Sequence, residues 1–180
     1  MKIKEIAFLV IIVVLSGCRK DSSNSTLSEY APSSVLVTLM PSYSIVNTFV
    51  FINSFDNDVE VISSKEYLSG LPADSLDYIK KYLCSRSYLN EGDECYCNCC
   101  LNEQNKISIA PRLFTMNDTV NQYDWTSCIE DLLLTEQLDT GSHGYFIHFH
   151  VPVGEEEKWI DQFKQYEFVE SATLNYLFHN

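Results

Sequence analysis

Cys95, Cys97, Cys99 and Cys100 put four thiols within six residues, the densest reactive chemistry in the chain. Thiolates this close together suit a soft metal ion such as Zn²⁺ or Cu(I). The spacing is crowded and lacks the Cys-x-x-Cys pair of a structural zinc site. Cys84 and Cys128 bring the cysteines beyond Cys18 to six. An even number points first to disulfides if the chain is exported. Six cysteines allow 15 pairings. Cys84 and Cys95 could staple the insertion that carries them, Cys128 sits on a helix that could meet it, and any one bridge would add about 2–4 kcal/mol. Bridges inside the cluster would be strained, and free thiols are a third reading. His148 and His150 lie two apart in an alternating segment, with His143 nearby. Rings two apart leave a strand on one side, where they can ligate a metal or mark the solvated face of a sheet. The chain has no G-x-S-x-G, no glycine-rich phosphate loop and no H-E-x-x-H. No spacing singles out a Ser/His/acid triad. The expectation is a protein that is not an enzyme, with no catalytic residue, no cofactor and no metal.

The front of the chain sets the compartment in which those thiols would work. Lys2 and Lys4 precede an unbroken apolar run, Ala7 to Leu15, which ends in Leu15-Ser16-Gly17-Cys18. The run fits the apolar region of a signal peptide and is too short to span a bilayer, which takes about 20 residues. Small residues before a cysteine resemble the lipobox of bacterial lipoproteins, in which the Cys thiol receives a diacylglyceryl group and becomes the new N-terminus. That resemblance makes residues 1–17 a signal peptide, Cys18 the lipidation site and residues 18–34 a lipidated tether. Ser22 to Ser34 is Ser-rich and aperiodic, as a flexible tether would be. Arg19-Lys20-Asp21 is similar to the short charged export signals of some Gram-negative surface lipoproteins. The implied location is the cell envelope, lipid-anchored in the outer membrane on its periplasmic or surface face.

Twelve Lys and Arg against 25 Asp and Glu give a net charge of −13 over 180 residues. Loss of Lys2, Lys4 and Glu5 with the leader would take it to −14. Nucleic-acid binding is excluded as a main role, because phosphate neutralisation needs a surplus of cations. Anionic head groups would repel such a body, so its hold on a membrane would come from the lipid.

Residues 35–180 read as one α+β domain. The patterning predicts a strand over Ser34 to Met40 and a helix over Tyr43 to Phe55. A strand at Val59 to Ile62 and a helix opened by Pro72-Ala73-Asp74 follow. Residues 84 to 106 read as a loop, and Ile107 to Phe114 as an edge strand because it contains Pro111. Gln122 to Glu136 reads as an amphipathic helix. Gly144 to Val151 alternates with Tyr145, Ile147, Phe149 and Val151 on one side. Glu155-Glu156-Glu157 opens a last helix, and Phe168 to Phe178 is a last strand. Setting aside an insertion at about 64–143, the order is that of a ferredoxin-like split βαβ sheet with two covering helices. The insertion would be large, helical and Cys-containing; the alternative is one larger sheet that takes in Ile107 to Phe114.

Tyr145 to Glu155, Trp159 to Phe163 and Phe168 to Tyr176 resemble the second βαβ half of subtilisin-type protease propeptides, the fervidolysin-like prodomain included. That family has a strand, a Pro-x-Gly turn, an acid-led helix and a strand reading Val-x-x-Ala-Glu-x-Asn-Tyr. Val169, Ala172, Asn175 and Tyr176 match; Thr173 stands where Glu is usual and Leu174 where Pro is common. The resemblance implies a ferredoxin-like module that binds or inhibits a protease through its C-terminal segment. With no protease domain after Asn180, it would be a free-standing protein-binding module for a protease or another envelope protein. Asn175, Tyr176, Leu177, Phe178 and His179 would be the contact residues. The alternatives are a structural or assembly lipoprotein without catalysis, and a thiol-rich metal-binding lipoprotein using Cys95, Cys97, Cys99 and Cys100.

If the leader is read correctly, Cys18→Ala leaves the protein unlipidated and moves it from the membrane to the soluble fraction. Fractionation and intact mass check this; acylated Cys18→Ala material, or wild-type protein retaining Met1, contradicts it.

Overall fold

Alternation of buried and exposed side chains builds most of the sheet in the computed structural model, which describes residues 30–63, 65–138 and 144–176. The first half runs β1 (Tyr30–Leu39), α1 (Ile45–Ile52), β2 (Val59–Ser63), β3 (Tyr67–Ser69) and α2 (Leu76–Cys84). The short strands β4 (Asn90–Glu91) and β5 (Glu94–Cys95) pair with each other. Then come β6 (Cys97–Leu101), β7 (Ile107–Phe114), α3 (Thr119–Asp131) and β8 (Leu134–Glu136). β9 (Phe146–His150), α4 (Glu156–Phe163) and β10 (Val169–Tyr176) complete the chain.

The result is a mixed α+β fold around an antiparallel sheet of eight strands. Its order is β10-β1-β9-β2-β7-β3-β8, with β6 also on β7. Val35, Val37, Ile147, Phe149, Ile62, Leu113, Ile109 and Tyr67 share one buried face by register. The helices cover that face. Phe163 of α4 stacks on Phe149 at 4.6 Å, and Phe51 of α1 meets Phe149 edge-on at 5.9 Å. Trp125 of α3 is edge-on to Tyr67 at 5.6 Å, and α2 packs on β6. Such ring pairs add about 0.5–1.5 kcal/mol each beyond the area they bury.

The structure corrects four expectations. The strand begins at Tyr30, so residues 30–34 of the expected tether belong to the sheet. The expected loop over 84–106 contains β4, β5 and β6, because a Cys-rich strand carries little hydrophobic signal while its backbone still pairs with β7. β7 is interior rather than an edge: β6 lies on one side and β2 and β3 on the other, while Pro111 falls at the last β6–β7 pair, opposite Cys97. The helix expected to reach Glu136 stops at Asp131, and Leu133 at φ +50° turns the chain into β8. The insertion is therefore not helical alone, and its strands join the main sheet.

Where the two parts meet, the core contains polar groups. Lys65 is 3% exposed and donates to the carbonyls of Pro41 and Tyr43, the latter at 2.8 Å, with Glu136 Oε1 at 3.9 Å. Glu136 also accepts from the Tyr145 hydroxyl and, at 3.2 Å, from the Ile45 N–H that opens α1. Tyr145 and Tyr67 share a 2.7 Å hydroxyl contact, and burial raises the pKa of both phenols far above their ordinary range. Gly144 is required beside this site, since a Cβ there would lie 1.6 Å from the Leu39 carbonyl oxygen. Removing one partner of a buried charge is strongly destabilising, at about 3–5 kcal/mol. Glu136→Ala should therefore lose about 3–5 kcal/mol by urea unfolding, while Val46→Ala, half-exposed on α1, should change stability by about 0.5 kcal/mol or less.

Candidate functional site

The sheet face opposite the helices carries two rows of side chains, fixed by register across five strands. One row is Thr173, Leu36, His148, Val61 and Phe114; the other is Ser171, Thr38, Phe146, Ser63 and Arg112. At about 4.8 Å per strand the rows extend roughly 19 Å. Phe146 is 40% exposed, and Arg112 and Thr173 are exposed. Tyr96 extends the face, edge-on to Phe114 at 5.6 Å and beneath the Arg112 guanidinium at 5.7 Å.

At one end of the face is a polar cluster built by two irregularities. Ser33 has φ +62° and its N–H is held at 2.9 Å by Glu156 of α4; the β1 register breaks here and sets Ser34 toward β9 and β10. Those backbone donors keep the Glu156 carboxyl below its ordinary pKa. A register shift between Val59 and Val61 puts Glu60 on the side of His148. His148 Nδ1 lies 2.7 Å from Glu60 Oε2, and His148 Nε2 contacts the Ser34 hydroxyl. Asn175 Nδ2 is 3.0 Å from that nitrogen and 3.2 Å from Ser34 Oγ.

A carboxylate can only accept, so Glu60 assigns the imidazole proton to Nδ1 and leaves Nε2 to accept from Ser34 and Asn175. The His150 ring stacks 6.0 Å from His148, with its Nε2 3.5 Å from the same Glu60 oxygen. Hydroxyl, imidazole and carboxylate are connected in triad order. Ser34 is nevertheless 3% exposed and enclosed between β9 and β10, which leaves a substrate carbonyl no approach to its oxygen. The arrangement can bind and release a proton at a ring that accepts from Ser34 of β1 and Asn175 of β10.

The thiols are dispersed. Cys84 and Cys95 form a disulfide with Cα atoms 5.4 Å apart, which takes Cys95 out of any four-thiolate set. Cys97 and Cys99 project to the helix-covered face with sulfurs 3.5 Å apart, while Cys100 points to the opposite side and is exposed. Cys128 is buried on α3 beside Tyr88 and Asp124, and burial raises its thiol pKa. Among the described residues, no group of three or more His, Cys, Asp or Glu side chains could hold a metal ion.

Of the expected contact residues, Asn175 is engaged in the polar cluster and Tyr176 is half-exposed opposite Tyr30 at the end of β10. Leu177, Phe178, His179, Cys18 and His143 lie outside the described residues. Sequence reasoning did not single out Ser34 or Glu60, because Ser34 and His148 are 114 positions apart and only sheet pairing joins them. No family model, curated protein or solved structure matches the chain.

Desolvation, with His150 adding to it, keeps His148 below its ordinary pKa of 6.5 despite the opposing pull of Glu60. The unfolded chain therefore binds the proton more readily, and stability falls as pH drops below 6.5 toward the folded-state value. His148→Gln should flatten the stability slope between about pH 7.5 and about pH 5.5. An unchanged slope in thermal melts of the variant contradicts this assignment.

Proposed function

We propose that this chain is a lipid-anchored cell-envelope protein that binds another folded protein through the sheet face opposite its helices. The two-row face is the observation that carries the reading. It sets aromatic and aliphatic side chains beside Arg112 and two histidines, although the chain as a whole is strongly acidic. Aromatic and Arg side chains are the residue types that dominate binding energy at protein interfaces. The outermost position of β10 and the order β10-β1-β9-β2, with α1 and α4 behind, support a ferredoxin-like split βαβ frame. The leader pattern ending at Cys18 supports the anchor. Among the described residues no helix is long and apolar enough to cross a membrane.

The propeptide resemblance makes a protease the first partner class to test, with Tyr176 and the residues after it directed to the partner. Cys95 is bound to Cys84, which removes the support for a metal-binding lipoprotein built on four clustered thiolates. The reading requires Phe146→Asp and Arg112→Glu to weaken capture of the partner from native membranes by about tenfold or more. Val50→Asp, on the exposed side of α1, should leave capture unchanged. Equal capture by all three folded variants contradicts the surface. No inhibition of subtilisin-type or co-resident proteases by the mature protein at about 10 µM removes the protease version alone.

A further inference from the structure

We propose that Cys97 and Cys99 form a thiol–disulfide exchange site, which passes two electrons between this chain and the paired cysteines of a substrate peptide. The pair stands apart from the sheet face described above. Its sulfurs lie 3.5 Å apart on one side of β6, a strand that pairs only with β7 among the described residues. Cys97 is partly exposed and Cys99 is 5% exposed under α2, which makes Cys97 the more accessible residue of the pair. Residues two apart on a strand have Cα atoms roughly 6.6 Å apart, near the upper limit of about 6.8 Å for a disulfide. A bond closed across that span is readily reduced, which is the property of exchanging rather than structural disulfides. The Cys84–Cys95 bridge, anchored at the end of α2, supplies the structural one. Cys100 is excluded from the pair by pointing to the opposite face.

The chemistry follows from the asymmetry. In the oxidised form a substrate thiolate attacks the Cys97 sulfur, the Cys97–Cys99 bond breaks, and Cys99 leaves as a thiolate. The second substrate thiolate then attacks the substrate sulfur of the mixed disulfide, and Cys97 leaves and takes a proton. The substrate gains one disulfide; Cys97 and Cys99 become two thiols. A low-molecular-weight disulfide reverses these steps on the pair and is itself reduced to two thiols. Hydrogen bonding from Cys97 and the Lys80 ammonium hold the Cys99 thiol below its ordinary pKa in the dithiol form, which suits it to the leaving and resolving position. Hydrogen bonding to Cys99, with burial added, pushes Cys97 upward.

The test uses the mature protein in graded reduced and oxidised glutathione, quenched by alkylation and mapped by mass spectrometry. Cys97–Cys99 should close and open across the series with the loss and return of two hydrogens, while Cys84–Cys95 stays oxidised. Cys99→Ala should accumulate one glutathione on Cys97, and Cys97→Ala none on Cys99. Oxidised wild-type protein should also convert a reduced dithiol peptide to its disulfide in a single turnover. Cys97 and Cys99 remaining reduced throughout, or pairing instead with Cys100 or Cys128, overturns the proposal. This wild-type readout decides the matter even if a variant fails to fold.

Discussion

A half-buried carboxylate ties β8 to the elements packed beside it. Glu136 ends β8, yet its oxygens meet the first N–H of α1, the hydroxyl of Tyr145 just before β9, and the ammonium of Lys65 just before β3. Charges are retained in a core only where partners satisfy them. Lys65 spends its remaining donors on the carbonyls of Pro41 and Tyr43, in the turn that leads into α1. The network therefore ties β8 to the start of α1, to the residue before β9 and to the turn between β2 and β3. One continuous sheet results, with every helix on the same side.

A one-sided sheet divides the chemistry between two environments. The helix-covered face is apolar and crowded with rings, and it places Cys97 and Cys99 under α2. The other face has a titratable cluster at one end and aromatic side chains along its length. His148 joins these properties, because its ring belongs to a row on that face and also accepts from Ser34 of β1 and Asn175 of β10.

Much of the frame was legible. Alternation identified Tyr145, Ile147, Phe149 and Val151 as one buried side; the helical spacing of α1 picked out Ile45, Phe49 and Ile52, which are buried, together with Val46 and Val50, which are exposed. A disulfide in the Cys-containing insertion was legible, but its connectivity was not: six cysteines leave 15 pairings open, and only the fold brings Cys84 to Cys95. The errors have physical causes. Periodicity is blind to a strand such as Cys97–Leu101, whose stability comes from backbone pairing with β7. Pro111 suggested an edge, but a ladder end accommodates proline as well. Glu136 read as the tail of a helix because nothing local shows that a carboxylate will be buried against Lys65, Tyr145 and Ile45. Ser34 and Glu60 carry no local signal either; two backbone irregularities, at Ser33 and between Val59 and Val61, turn them toward His148.

The central claim is that the sheet face opposite the helices is covered by a partner in the envelope. Hydroxyl-radical footprinting of the purified mature protein and of the same protein in native membranes measures this directly. The account predicts that Tyr96, Phe114, Phe146 and His148 are oxidised less in membranes than in isolation, while Tyr78 and Tyr123 on the exposed sides of α2 and α3 react equally in both. Equal oxidation of the sheet face in the two preparations, or protection confined to the helices, would contradict it.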